Sequence, residues 1–241
     1  SLSQKRRTLS RRHITLLAIL LLALTIRLTY AFSSQFTPDV SDMGSYNSAA
    51  KSILDGESLV SVDEGEYYTW TKPPGYPGFI SLIYRVAGRD NLRAVFVAQA
   101  VLSTLTLLLI YLVASRRFGP VPALIAVGLG AVFTDMVLYN VTLLTETLAL
   151  FLVVFGLWAL SRVSSTGVSL AMGSLAFGFA ILAKPAVLYF LPGIALWVLM
   201  GSQFNLRAKL AQVLVVGVFV ALPLAPWMVA NLRAGSGLTG F

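Results

Sequence analysis

The chain has no cysteine, which excludes disulfides, thiolate metal sites and a thiol nucleophile. It has one histidine, His13, placed among N-terminal arginines, so a His-based metal centre or a Ser-His pair is not expected. Charge is scarce as well. Charged residues make up 12% of 241 positions, against about a quarter in a soluble domain. Acids are the scarcer sign: 10 Asp and Glu stand against 18 Lys and Arg, giving a net charge of +8.

What fills the chain is apolar, at 57% of residues, in long runs without period-two alternation. In lipid every backbone polar group must be bonded internally, which leaves helices or a closed barrel, and the runs favour helices. The basic excess is spread along the chain near helix ends. Membrane topology explains it better than nucleic-acid binding does, and an anionic lipid surface or substrate is compatible with it. The expectation is an all-α polytopic membrane protein, read as one transmembrane module over residues 1–241.

Lys5, Arg6, Arg7, Arg11 and Arg12 place the N-terminus in the cytoplasm. The first span is expected over about Ile14 to Phe32, with Arg27 near its outer end, either snorkelling to the interface or serving an anionic ligand. Residues 33–90 form a long first external loop. Ser41 or Asp42 can cap a short helix running to about Leu54 and ended by Asp55-Gly56. Glu57 to Trp70 reads as a polar, aromatic loop. Lys72-Pro73-Pro74-Gly75-Tyr76-Pro77 is a rigid turn, and Phe79 to Val86 a second interfacial helix. Further spans are expected near 92–115, 121–139, 143–160, 168–183, 186–200 and 210–228, about seven in all. Recurrent glycines in the later spans suit close helix packing.

An acid in or beside a membrane span is costly and points to function. Asp39, Asp42, Asp135, Glu146 and Lys184 all gather on the outer face under this topology, with Arg233 beyond the last span. A carboxylate there can take a proton from an acceptor hydroxyl while a cation holds a leaving phosphate; neither role needs Cys or His. Each residue also has a plainer use. Asp42 suits a helix N-cap, Glu146 the start of a helix dipole, Lys184 snorkelling, and Asp135 an ion pair.

The pattern Asp42-x-x-x-Tyr46-x-x-x-Ala50, followed by Leu54-Asp55-Gly56, resembles the first external loop of GT-C glycosyltransferases, particularly the protein-mannosyltransferase and aminoarabinose-transferase-like group. The Lys72-to-Pro77 turn, Thr145-Glu146, Ala183-Lys184-Pro185 and Pro226-Trp227…Asn231 resemble later family features in the same order. The resemblance implies transfer from a polyprenyl-phosphate-linked sugar to a protein, lipid or glycan acceptor, with inversion, on the external face of the inner membrane. Asp42 would be the base and Asp39 its competitor. Tyr46 would support the loop and Glu146 shape a pocket. Lys184, Arg27, Lys72 and Arg233 would be candidates for the phosphate. Asp39 and Asp42 could hold a divalent cation with substrate oxygens, although electrostatics from lysines and arginines is the default. Family members usually run longer, so a further C-terminal region or a partner subunit is expected. A non-catalytic membrane scaffold or lipid-binding subunit of the same fold, and a lipid-linked sugar transporter, are the alternatives.

Overall fold

The computed structural model describes residues 11–35, 42–57, 60–63, 66–69, 72–162, 167–201 and 205–233. The described chain is helical except for one hairpin. Helix α1 spans Arg11–Ser33, α2 Asp42–Leu54, α3 Gly75–Ala87, α4 Leu92–Phe118 and α5 Pro120–Val132. Then come α6 Thr134–Leu138, α7 Glu146–Leu160, α8 Gly167–Ala183, α9 Leu191–Gly201 and α10 Leu206–Arg233. Short 3-10 turns at Tyr139–Val141 and Pro185–Phe190 follow α6 and α8. Between α2 and α3 lies an antiparallel pair, β1 Val60–Asp63 and β2 Glu66–Thr69, where an irregular loop was expected.

Three helices, α1, α4 and α10, are long and apolar enough to cross a bilayer, or four if the α5–α6 pair is one broken span. All seven expected spans fall on helices, but α7 and α8 have only 15 and 17 residues. At ~1.5 Å per residue they reach about 22–26 Å against a hydrocarbon core of ~30 Å. The expected count of about seven crossings is therefore not what helix length supports. The physical reason is that α7 begins only at Glu146 and α8 already ends at Ala183, next to the polar residues of the candidate site. Irregular backbone near membrane depth is tolerated where protein surrounds it.

The expected third span is also not continuous. Phe133 is extended (φ −66°, ψ 116°), and α5 and α6 bend by 57° across it. The last-turn carbonyls of α5 lose their helical donors at this break. Arg27 supplies replacements: Nη1 donates to Ala131 O at 3.0 Å and Nη2 to Gly130 O at 3.0 Å. Its Nε donates to Ser103 Oγ at 2.9 Å, and Nη1 also reaches Ala23 O. A cation at a helix C-terminus suits the dipole. Arg27 is fully buried. It is buried rather than snorkelling, and it caps a broken helix. Arg27→Met is expected to cost roughly 2–4 kcal/mol, because several buried acceptors lose their donor. The Tm in detergent should fall by about 5–15 °C. An unchanged Tm would mean that the break is held by something else.

Helix α8 lies between α7 and α10, and α4 lies against α1, α5 and α7. A Cβ on Gly178 would collide with Val220 O and the Pro223 ring, so α8 and α10 touch there through backbone. Helix α2 packs on α3. One apolar cluster, including Tyr46, Ala50, Tyr76, Ile80, Tyr84, Val95, Leu143, Leu148 and Ala183, ties α2 and α3 to the ends of α4, α7 and α8. The far end of α2 is fastened by polar contacts. Lys51 pairs with Asp90 at 2.6 Å, Asp55 with Arg89, and the Tyr84 hydroxyl donates to Asn47 Oδ1 at 2.7 Å. The bond from Arg89 holds the Asp55 carboxyl below its ordinary range.

Candidate active site

Asp42 is the first residue of α2, and its side chain is 56% exposed. Its Oδ1 accepts from Lys72 Nζ at 2.7 Å. Lys72 stands in the turn that leads into α3, so this ion pair closes the loop carrying the hairpin. The Lys72 ammonium also lies 5.4 Å from the centroid of the Tyr46 ring. Tyr46 is one helical turn after Asp42 and therefore on the same face of α2. Its ring meets Tyr76 edge-on, with centroids 5.2 Å apart and planes at 89°.

Glu146 opens α7, and its Oε1 accepts from Lys184 Nζ at 2.6 Å. Lys184 follows α8, where Pro185 stops the helix and starts a 3-10 turn. The Asp42–Lys72 pair borders the Tyr46 phenol, and the charge of Glu146 also acts on it. Burial pushes the Tyr46 hydroxyl up to about 12, and the charges of Asp42 and Glu146 act in the same direction. Tyr46 therefore stays protonated at any physiological pH. Tyr76 is raised well above its ordinary value by burial first, then by Glu146 and Tyr46.

The segments that carry the two lysines meet because the turn at 72–75 lies against the end of α8. A Cβ on Gly75 would be 2.5 Å from the Leu182 carbonyl carbon and 2.6 Å from the Ala183 nitrogen. Only glycine fits there. Beside Glu146 a small open cleft is lined by Ser103, Thr106, Met136, Tyr139, Thr147 and Leu150.

The structure thus brings together Asp42, Tyr46, Lys72, Glu146 and Lys184. Arg27 makes no bond to these five residues; it is committed to the α5 break and to Ser103, which lines the cleft beside Glu146. Arg233 is exposed in the last turn of α10, and no described contact ties it to the cluster. Asp39 lies outside the described residues. Asp135 is exposed on α6, and no ion pair among the described residues includes it. Among the described residues no group of three or more His, Asp or Glu side chains could hold a metal.

Gln99 was not among the expected site residues. It is fully buried in α4. Its Oε1 accepts from the Tyr76 hydroxyl at 2.9 Å, and its Nε2 donates to Asn140 O at 3.1 Å and Thr142 O at 2.9 Å. The only signal in the sequence was a carboxamide inside an otherwise apolar run.

Residues 71–229 match the family described as dolichyl-phosphate-mannose-protein mannosyltransferase. The match holds Lys72, Glu146 and Lys184 and begins after Asp42 and Tyr46. No curated protein sequence matches the chain. The fold is similar to that of the Archaeoglobus fulgidus oligosaccharyltransferase tethered to an acceptor peptide containing an NVT sequon. The TM-score is 0.68 at 17% identity, over 90% of this chain and 30% of that one. It is also similar to the same organism's oligosaccharyltransferase AglB in complex with an inhibitory peptide and a dolichol-phosphate, with TM-score 0.63 and 18% identity over 89% and 29% of the two chains. The chain therefore spans about 30% of the length of these enzymes.

Proposed function

The chain belongs to the dolichyl-phosphate-mannose-protein mannosyltransferase family of GT-C glycosyltransferases, and from that premise we propose that it takes part in moving a sugar from a polyprenyl-phosphate carrier to a hydroxyl-bearing acceptor. It is an integral membrane protein. The proposed site faces the external side of the inner membrane, with the N-terminus in the cytoplasm.

The observation that carries this reading is that two lysine–carboxylate pairs stand on segments that meet, where the turn at Gly75 lies against the end of α8. Glycosyl transfer from a phosphate carrier makes two demands. A proton must leave the attacking hydroxyl, and charge must be met on the departing phosphate. In the proposed reaction the acceptor oxygen forms a bond to the anomeric carbon from the face opposite the phosphate. The bond from that carbon to the phosphate oxygen breaks, and its electron pair leaves with the carrier phosphate. Asp42, the more exposed of the two acids, takes the acceptor proton. Lys184 and Lys72 hold the phosphate. Each lysine already faces one anionic oxygen, so a phosphate oxygen can take the carboxylate's place. Glu146, beside the cleft, orients the sugar or the acceptor. Opposite-face attack gives inversion.

The test is binding of a short-chain polyprenyl phosphate to the purified protein. Lys184→Ala is expected to weaken binding about tenfold or more, as the loss of a charge-assisted bond of ~1.5–3 kcal/mol requires. Arg233→Ala, outside the cluster, should matter less. Equal binding by wild type and Lys184→Ala would move the donor site elsewhere. No binding by wild type would count against the transferase and favour a non-catalytic subunit that keeps the fold. Transfer that survives EDTA supports charge neutralisation by lysines. Loss restored by a divalent cation would give that role to a cation at Asp39 and Asp42.

A further inference from the structure

Gln99 links the two halves of the candidate site. On one side its carbonyl accepts from Tyr76, whose ring abuts Tyr46, the residue over which Lys72 sits. On the other side its amide donates to the carbonyls of Asn140 and Thr142. Those residues lead directly into Thr145-Glu146. The Asn140 side chain tightens the same turn by donating to Met136 O at 2.6 Å, and the Thr147 hydroxyl donates to Tyr139 O at 3.3 Å. Both amide hydrogens of Gln99 are therefore committed to carbonyls. Turning the amide over would set its oxygen against acceptors that have no proton to give, so only one orientation is satisfied. A buried, fully bonded polar group of this kind fixes a unique geometry.

We infer that Gln99 is a positioning residue that fixes the spacing between the Asp42–Lys72 pair and the Glu146–Lys184 pair. Its catalytic consequence rests on the transferase reading above; its geometric consequence does not. The carboxamide touches no substrate. It acts through Tyr76 on one side and through the turn at 140–142 on the other.

The experiment uses Gln99→Leu, Tyr76→Phe and the double variant in the full chain. Transfer is measured per mole of folded protein with a polyprenyl-phosphate sugar donor. For Gln99→Leu, kcat is expected to fall about 10- to 100-fold, the usual effect of sub-ångström to 1 Å misplacement, with donor KM changed less than about threefold. Tyr76→Phe should fall less. The double variant should be no worse than Gln99→Leu alone, because the two residues share one bond. A purely structural role would lower the yield of folded protein and leave kcat intact.

A second readout does not depend on activity. The chain has no cysteine, so Ser48→Cys on α2 and Leu138→Cys on α6, both exposed, can carry spin labels at two unique sites. The distance distribution between them is expected to be narrow in the parent and to broaden in Gln99→Leu. An unchanged kcat in an active enzyme, or an unchanged distribution, overturns the inference. If the parent protein transfers no sugar, the reading of function fails, and the distance distribution still decides the geometric role of Gln99.

Discussion

Asp42→Asn is expected to lower transfer by roughly 10²- to 10⁴-fold, the range for loss of a general base, while the protein folds and binds the carrier phosphate as before. The substitution is a clean one. The carboxamide has nearly the shape of the carboxylate, and its oxygen can still accept from Lys72 at the distance seen now. What it cannot do is take a proton from an attacking hydroxyl. A loss of turnover with unchanged carrier binding would therefore locate the defect in the chemical step. Glu146→Gln is the control. Glu146 pairs with Lys184 in the same way, so if the two acids have exchanged roles, the larger defect will follow Glu146. Full activity in Asp42→Asn would falsify the assignment of the base.

The second large effect is expected at Gly75. Gly75→Ala places a methyl group 2.5 Å from the carbonyl carbon of Leu182 and 2.6 Å from the nitrogen of Ala183. The obstructing atoms are backbone, so no side chain can rotate away. Either the turn at 72–75 lifts off α8 or the end of α8 shifts. Overpacking of this kind costs about 1–3 kcal/mol, sometimes more. Its consequence here goes beyond stability, because Lys72 lies on one side of the contact and Lys184 on the other. Carrier-phosphate binding should fall by at least tenfold even in the fraction that remains folded. Gly78→Ala, where a Cβ meets nothing within 4 Å, should behave as wild type. If Gly75→Ala binds and folds like Gly78→Ala, the close approach is not what aligns the two lysines.

Much of this arrangement was legible in the sequence, for local reasons. The helix at 42–54 could be read from Asp42 at its start and Asp55-Gly56 at its end, and the structure has α2 over the same residues. The turn at Lys72 and the break at Lys184-Pro185 follow from proline chemistry, and Glu146 was conspicuous as an acid beside an apolar run. What local pattern cannot reveal is partner choice over long separations. Arg27 meets carbonyls 103 and 104 residues away, so its burial could not be told from snorkelling. The break at Phe133 carries no proline or glycine at that position to announce it. Gln99 binds backbone 41 and 43 residues on, and a neutral carboxamide draws less notice than a charge. The hairpin at 60–69 alternates too briefly to stand out from a loop.

The Arg27 contact also bears on how the protein is made. Helix α1 leaves the ribosome before α4 and α5, with a guanidinium near the end of an otherwise apolar span. The acceptors for that group, apart from Ala23 O, are Ser103, Gly130 and Ala131, which are synthesised 76, 103 and 104 residues later. Until they arrive, the charge must stay near the lipid headgroups or face a cost of about 2.5–3.5 kcal/mol in the bilayer. Helix α1 therefore reaches its final depth only after α4 and α5 have entered beside it. Insertion intermediates stalled before α5 should hold α1 shallower than the finished protein does, and Arg27→Leu should remove that delay while leaving the α5–α6 break without its cap.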